Sequence, residues 1–165
     1  MDFVIRTMQK EDIQAVQQVA KVSWHATYEG IIPLEIQESF LKSAYNDDMM
    51  KRRLEGSFMF VAEVNNGVVG FANYSPVRED GKVELGAIYL YPEYQGKGIG
   101  SSLLQKGIGL EGVKEIFINV EKDNKIGMTF YKAKGFEIVS EFGDDFDGHT
   151  LQTVRMVLNI WGTED

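Results

Sequence analysis

Residues 88–100 read Ile-Tyr-Leu-Tyr-Pro-Glu-Tyr-Gln-Gly-Lys-Gly-Ile-Gly, and no other stretch constrains the fold as strongly. A short apolar strand meets Pro92, then a basic glycine-rich turn, then a helix opening with Ser101, Ser102, Leu103 and Leu104. Gly96, Gly98 and Gly100 stand at alternate positions, so successive backbone N–H groups can face one concavity without Cβ clashes. The following helix adds its unpaired N–H groups and its positive dipole end. Such a turn holds a phosphate or pyrophosphate. The plain alternative is a tight strand-to-helix turn with no ligand.

Three phosphate-binding patterns compete for this stretch. A P-loop needs Gly-Lys followed by Ser or Thr, and Gly96-Lys97 is followed by Gly98, so that reading fails. A dinucleotide fingerprint fits Gly96 and Gly98, with Glu121 near the ribose position, but its third glycine position holds Ser101. Residues 92–95 also separate strand from glycines, where a dinucleotide turn would be tight. The third pattern, Gln/Arg-x-x-Gly-x-Gly/Ala, is matched in full by Gln95, Gly98 and Gly100. It resembles the acetyl-CoA pyrophosphate loop of the GCN5-related N-acetyltransferases.

A second motif points the same way. Residues 124–136, Asn-Lys-Ile-Gly-Met-Thr-Phe-Tyr-Lys-Ala-Lys-Gly-Phe, resemble that family's signature Asn-x-x-Ala-x-x-Phe-Tyr-x-x-x-Gly-Phe. Asn124 can cap a helix with Ile126 and Phe130 on its apolar face, Gly135 is a natural left-handed stop, and Phe136 opens the next strand. Gly127 replaces the usual alanine, which costs a helix interior about 1 kcal/mol. Ile5-Arg6 followed by Asp12 resembles the family's first strand and helix, so the likeness spans roughly residues 3–158.

The resemblance implies an acyl-CoA N-acyltransferase fold, an α/β class with a mixed sheet of about six to seven strands flanked by helices. It also implies acetyl-CoA as cosubstrate, with no metal. Gln95, Gly96, Lys97, Gly98, Ile99, Gly100 and Ser101 would take the pyrophosphate, Lys97 adding charge at the rim. Ile88, Tyr89 and Leu90 would pair their backbone with the pantetheine arm, in a gap between this strand and the strand at 115–121. A backbone N–H in 88–90 would act as the oxyanion donor. Tyr131 would be the general acid near the thioester sulfur, and Asn124 would touch the pantetheine or position a water. Glu84 is the candidate base. Strand alternation puts it with Gly86 and Ile88 on one face, and Leu85, Ala87 and Tyr89 on the other. Some relatives are acidic where this chain has Gly86.

Residues 23–33 resemble the acceptor-side loop of one bacterial subgroup. With Phe40, Tyr45 and Asn46 they look distantly like polyamine acetyltransferases of the spermidine/spermine type. Trp24, Tyr28 and Glu29 would then hold a cationic acceptor, a small-molecule amine or a peptide amine. A hydrophobic lid packed on the sheet is the alternative. For the whole chain, a non-catalytic CoA-binding sensor is the alternative to an enzyme.

The remaining expectations come from composition and order. The chain has 165 residues, one domain's length, expected at 1–160 with a frayed tail at 161–165. It has no cysteine and only His25 and His149 as histidines, which excludes disulfides, a cysteine nucleophile and thiolate metal sites and argues against a metal centre. A net charge of −8 argues against nucleic-acid binding. No apolar run approaches the ~20 residues of a membrane span. The amino terminus has no basic region followed by an apolar run, so a cytoplasmic location is expected. A homodimer could form through the final strands and the 24–46 region. Strands are expected at 3–8, 58–64, 68–74, 83–90, 115–121, 136–142 and 150–158. Helices are expected at 12–22, 33–45, 47–55, 98–110 and 124–134, with an aromatic loop at 24–32 and an Asn-Gly hairpin at 65–67.

Overall fold

A computed structural model describes residues 2–160, so the expected tail at 161–165 lies outside the described residues. The chain begins with β1 (Val4–Thr7), followed by three helices, α1 (Ile13–Tyr28), α2 (Leu34–Ala44) and α3 (Asp47–Gly56). A meander follows: β2 (Phe58–Val64), β3 (Gly67–Tyr74) and β4 (Lys82–Leu90). The glycine turn leads into α4 (Ile99–Ile108), then β5 (Glu115–Glu121), α5 (Lys125–Ala133) and the closing hairpin β6 (Glu137–Phe146) and β7 (His149–Asn159). The seven strands form one sheet in the order β1-β2-β3-β4-β5-β7-β6. Every neighbouring pair is antiparallel except β4 and β5.

Two hairpins are set by residues that tolerate positive φ. Asn65 and Asn66 take φ of 50° and 66° between Val64 and Gly67, the geometry that matches strand twist. Asp147 and Gly148, at 52° and 84°, do the same for β6 and β7, which therefore run four residues and one residue closer to the turn than expected. Helix α1 is also longer than expected. The presumed aromatic loop from Trp24 is its last turn, because Val16, Ala20, Trp24 and Tyr28 continue one buried stripe at i, i+4 spacing. Burial of that stripe outweighs the weaker helix propensity of its aromatic residues.

The sheet is covered on both sides. Helices α4 and α5 close a core around Tyr74, Val83, Leu85, Leu103, Ile116 and Met156. Helices α1 to α3 close the other around Val19, Trp24, Leu41, Met50, Phe71 and Ala87. Helix α4 lies close on β3: the Tyr74 hydroxyl donates to the Leu103 carbonyl at 2.9 Å, and a Cβ at Gly107 would stand 2.2 Å from the Tyr74 ring. Gly107→Ala is therefore expected to destabilise the fold by about 1–3 kcal/mol through overpacking, read as a lower denaturant midpoint at an unchanged m-value.

Strand β4 carries the feature that shapes the site. Asn73 pairs with Ala87 and Tyr74 with Leu85, so Gly86 is an extra residue, a β-bulge. The bulge changes the phase of the strand. Val83, Leu85, Ile88 and Leu90 pack on the α4 side, while Ala87 and Tyr89 pack on the α1 side. The simple alternation expected for 84–89 is thus corrected: Leu85 does not share a face with Ala87 and Tyr89. A bulge bends its strand and raises the twist. Parallel pairing of β4 with β5 runs only from Lys82↔Glu115 to Glu84↔Phe117 and stops there. Beyond it β4 stays with β3 and β5 stays with β7, so the sheet forks.

Candidate active site

A cleft of about 360 Å³ occupies the fork. One wall is the edge of β4 from Leu85 to Leu90, whose backbone has no strand partner on the β5 side. Asn119 and Val120 of β5 form the opposite wall, and Ser23, Thr27 and Tyr28 of α1 close one end. The glycine turn contributes Gln95, Gly96, Gly98, Gly100 and Ser101. Helix α5 contributes Asn124, Gly127, Phe130 and Tyr131.

The turn is built by left-handed backbone. Gly96 has φ +74° and Gly98 +86°, conformations that a Cβ disfavours by about 1–2 kcal/mol. Gly98 is the N-cap of α4, and Ser102 N–H makes the first helical bond, to the Gly98 carbonyl at 3.1 Å. The N–H groups of Ile99, Gly100 and Ser101 therefore precede the ladder with no helical acceptor, at the positive end of α4. Gly100 has a steric reason instead: a Cβ there would stand 3.2 Å from the Phe130 ring of α5. Buried Ile99, Leu103 and Leu104 anchor the helix that carries the turn.

Asn124 caps α5, its Oδ1 accepting the Gly127 N–H at 3.0 Å. A Cβ at 127, as in the alanine of the family signature, would lie 2.7 Å from the Asn124 amide nitrogen, so the Asn124 side chain would have to shift to admit it. Tyr131 is buried between Phe130 and Phe136, with ring centroids 5.4 and 5.3 Å away, and still reaches the cleft. Desolvation, then the neighbouring Tyr28 and Tyr74, push its hydroxyl well above the ordinary tyrosine value, so it is a proton donor at neutral pH. Burial also raises Tyr28, opposed by hydrogen bonding to Tyr89 and Asn124. Tyr89 is raised by desolvation and by Tyr28.

These phenols have a consequence for stability. Burial pushes Tyr45 up to about 12, and Tyr74, Tyr89 and Tyr131 are raised as well. In the unfolded chain they ionise near pH 10, while the folded chain keeps their protons. Above about pH 10 the unfolded state binds fewer protons, so stability must fall as pH rises. Their contribution is intact below that pH. Urea midpoints measured from pH 8 to pH 11 are expected to be flat for these groups up to about pH 10 and to drop beyond it.

Of the residues expected from sequence, the cleft brings together Ile88, Tyr89, Leu90, Gln95, Gly96, Gly98, Gly100, Ser101, Asn124, Tyr131 and Tyr28. It does not bring in five others. The Lys97 side chain is exposed and outside the lining, and Ile99 points into the core. Trp24 belongs to the core under α1, stacked on Phe40 at 4.3 Å and facing Phe146 at 6.0 Å. Glu29 is exposed just past the end of α1. Glu84 borders a separate groove beside α3, and both its carboxylate oxygens are held by Arg155. No Asp, Glu or His lines the cleft among the described residues. The cleft also takes in Ser23 and Thr27, which lie in the segment 23–33 that resembles an acceptor-side loop without being among its expected contact residues, and Asn119, which no motif covers. Asn119 carries a signal, a polar residue inside an apolar strand.

Comparison with known proteins agrees with this geometry. Residues 18–136 match the model of the acetyltransferase (GNAT) family. The spermidine N(1)-acetyltransferase of Thermoplasma acidophilum is 31% identical over 155 residues, 88% of this chain and 95% of that protein. The N-acetyltransferase YuaI of Bacillus subtilis is 34% identical over 159 residues, 92% of this chain and 90% of that one. The crystal structure of the PaiA N-acetyltransferase of Thermoplasma acidophilum in complex with coenzyme A superposes with a TM-score of 0.83 at 27% identity, covering 96% of this chain and 99% of that one. The chain belongs to the acetyltransferase (GNAT) family, enzymes that transfer an acetyl group from acetyl-CoA.

Proposed function

We propose that the cleft seats acetyl-CoA with its pyrophosphate on the turn 95–101 and its pantetheine along the open edge of β4, and that the acetyl group passes directly to a primary amine, polyamine-like or at a peptide terminus. One observation carries this reading. A single cavity is lined by the glycine turn at the start of α4, the unpaired edge of β4 and Tyr131. The spermidine acetyltransferase activity named for the Thermoplasma relative supports the polyamine-like class.

The chemistry follows from the lining. The neutral amine attacks the thioester carbon, the C–N bond forms, and negative charge grows on the carbonyl oxygen. A β4 N–H between Ile88 and Leu90 donates to that oxygen. As the C–S bond breaks, Tyr131 donates a hydrogen bond to the departing sulfur. Outright transfer from a phenol this weakly acidic to a thiolate, the conjugate base of a stronger acid, would be uphill. The proton that ends on sulfur is therefore balanced by the proton leaving the amine nitrogen, relayed through Tyr131 or water. Among the described residues no carboxylate or imidazole lines the cleft, so the ammonium form loses its proton to water before attack.

The test is an assay of acetyl-CoA against spermidine, single amino acids and a short peptide, with product mass and released CoA both followed. The expected result is one N-acetyl product per CoA, no acetylated protein when the amine is withheld, and kcat/KM rising with pH toward the acceptor's own pKa, about 10 for an alkyl amine and about 8 for an α-amine. Accumulation of an acetyl-protein would overturn direct transfer. Binding of CoA without turnover of any amine would favour a sensor.

A further inference from the structure

Arg155 belongs to no motif in the sequence, yet it ties three strands together. It stands on β7 opposite Asn119 of β5. Its Nη1 donates to Asn119 Oδ1 at 3.0 Å and to Glu84 Oε2 at 3.3 Å, and its Nη2 donates to Glu84 Oε1. The guanidinium carbon lies 4.7 Å from the centre of the Phe117 ring. Glu84 and Phe117 are the last parallel pair before β4 and β5 part. The contacts therefore sit at the apex of the fork.

We infer that Arg155 is a positioning residue for acetyl transfer: it sets the opening of the fork and orients the Asn119 amide at the cleft wall, with Glu84 as its anchor. The inference rests on the cleft being the acetyl-CoA site. The planar guanidinium binds a carboxylate with two parallel bonds, a geometry that lysine cannot reproduce. The two side chains are 28% and 47% exposed, so the pair adds little to global stability and acts locally. With Oδ1 held by Arg155, the remaining polar end of Asn119 is its Nδ2 donor, and Asn119 lines the cleft. The bulge at Gly86 starts the divergence two residues beyond Glu84, so the clamp and the bend together define how wide the thioester end opens.

The test compares Arg155→Leu, Arg155→Lys, Glu84→Ala, Glu84→Gln and the Glu84→Ala/Arg155→Leu double variant. Steady-state kinetics, acetyl-CoA titration calorimetry, Tm and the pH–rate profile are recorded for each. Arg155→Leu and Glu84→Ala are each expected to lower kcat by about 10- to 100-fold, the scale of a small misplacement of reacting atoms. The double variant is expected to be no worse than either single one, because both break the same clamp. Arg155→Lys should track Arg155→Leu. Glu84→Gln, which keeps an acceptor oxygen, should retain several-fold more activity than Glu84→Ala, with the shape of the pH–rate profile preserved. Arg155→Leu at the wild-type rate would overturn the inference. So would Glu84→Gln falling as far as Glu84→Ala with the acid limb of the profile lost, since Glu84 would then be a base. Glu84→Ala, at an exposed side chain, gives the same reading should Arg155→Leu not fold. Failure of the wild-type protein to bind acetyl-CoA would overturn the proposed function instead, which keeps the two failures distinct.

Discussion

Gly98→Val is expected to weaken acetyl-CoA binding by about 100-fold, close to 2.7 kcal/mol, while the chain stays folded. Space is not the obstacle, because a Cβ at this position would meet nothing within 4 Å. Conformation is. Gly98 sits at φ +86°, and a β-branched side chain is a genuine outlier in that region. The turn must therefore rotate the peptide units around residue 98, which turns the N–H groups at the start of α4 away from where the proposed function seats the pyrophosphate. The charge–dipole and hydrogen-bond contacts at a helix N-terminus depend on those groups pointing at the anion. The core supports α4 independently of the turn, through Ile99, Leu103 and Leu104, so Tm should fall by only a few degrees. Calorimetric titration with acetyl-CoA, paired with a melting curve, measures both effects. Unchanged affinity would mean that the pyrophosphate lies elsewhere.

Tyr131→Phe should lower kcat by about 100-fold and leave acetyl-CoA affinity nearly unchanged. The ring is what packs between Phe130 and Phe136, and phenylalanine keeps it. Only the hydroxyl is lost, and with it the donor that the proposed function assigns to the departing sulfur. Positioned proton donors contribute at the scale of 10²–10⁴ in rate. A hydroxyl that acts mainly on the leaving group in the transition state shows up in kcat and not in ground-state binding. Burial keeps this hydroxyl protonated well past neutrality. Its titration should therefore leave no mark on the pH–rate profile between pH 6 and about 9.

What the sequence made legible was local. The glycine turn, the Asn124 cap and the Asn-Asn-Gly hairpin each depend on residues within a few positions of one another and form where the sequence puts them, and Tyr131 lies on the cleft lining. The Asp147-Gly148 turn was equally readable, and taking it up would have placed the full lengths of β6 and β7. What was not legible was set by partners distant in sequence. The bulge at Gly86 is visible only in the pairing of β4 with Asn73 and Tyr74. Glu84 looked like a base because its strand position suited one, and its partner Arg155 is 71 residues away. Trp24 looked like a cation-binding face, but Phe40 and Phe146 cover it from two other elements. Aromatic and acidic residues carry the same letters whether they meet a ligand or a neighbour, and the topology decides which.

A crystal structure of this protein with CoA bound would test the central claim most directly. The account requires pyrophosphate oxygens about 3 Å from backbone nitrogens of 96–101, and the CoA sulfur within hydrogen-bond reach of the Tyr131 hydroxyl at the β4–β5 fork. A CoA molecule whose diphosphate sits away from that turn, or whose sulfur lies on the α3 side of β4 beside Glu84, would contradict it.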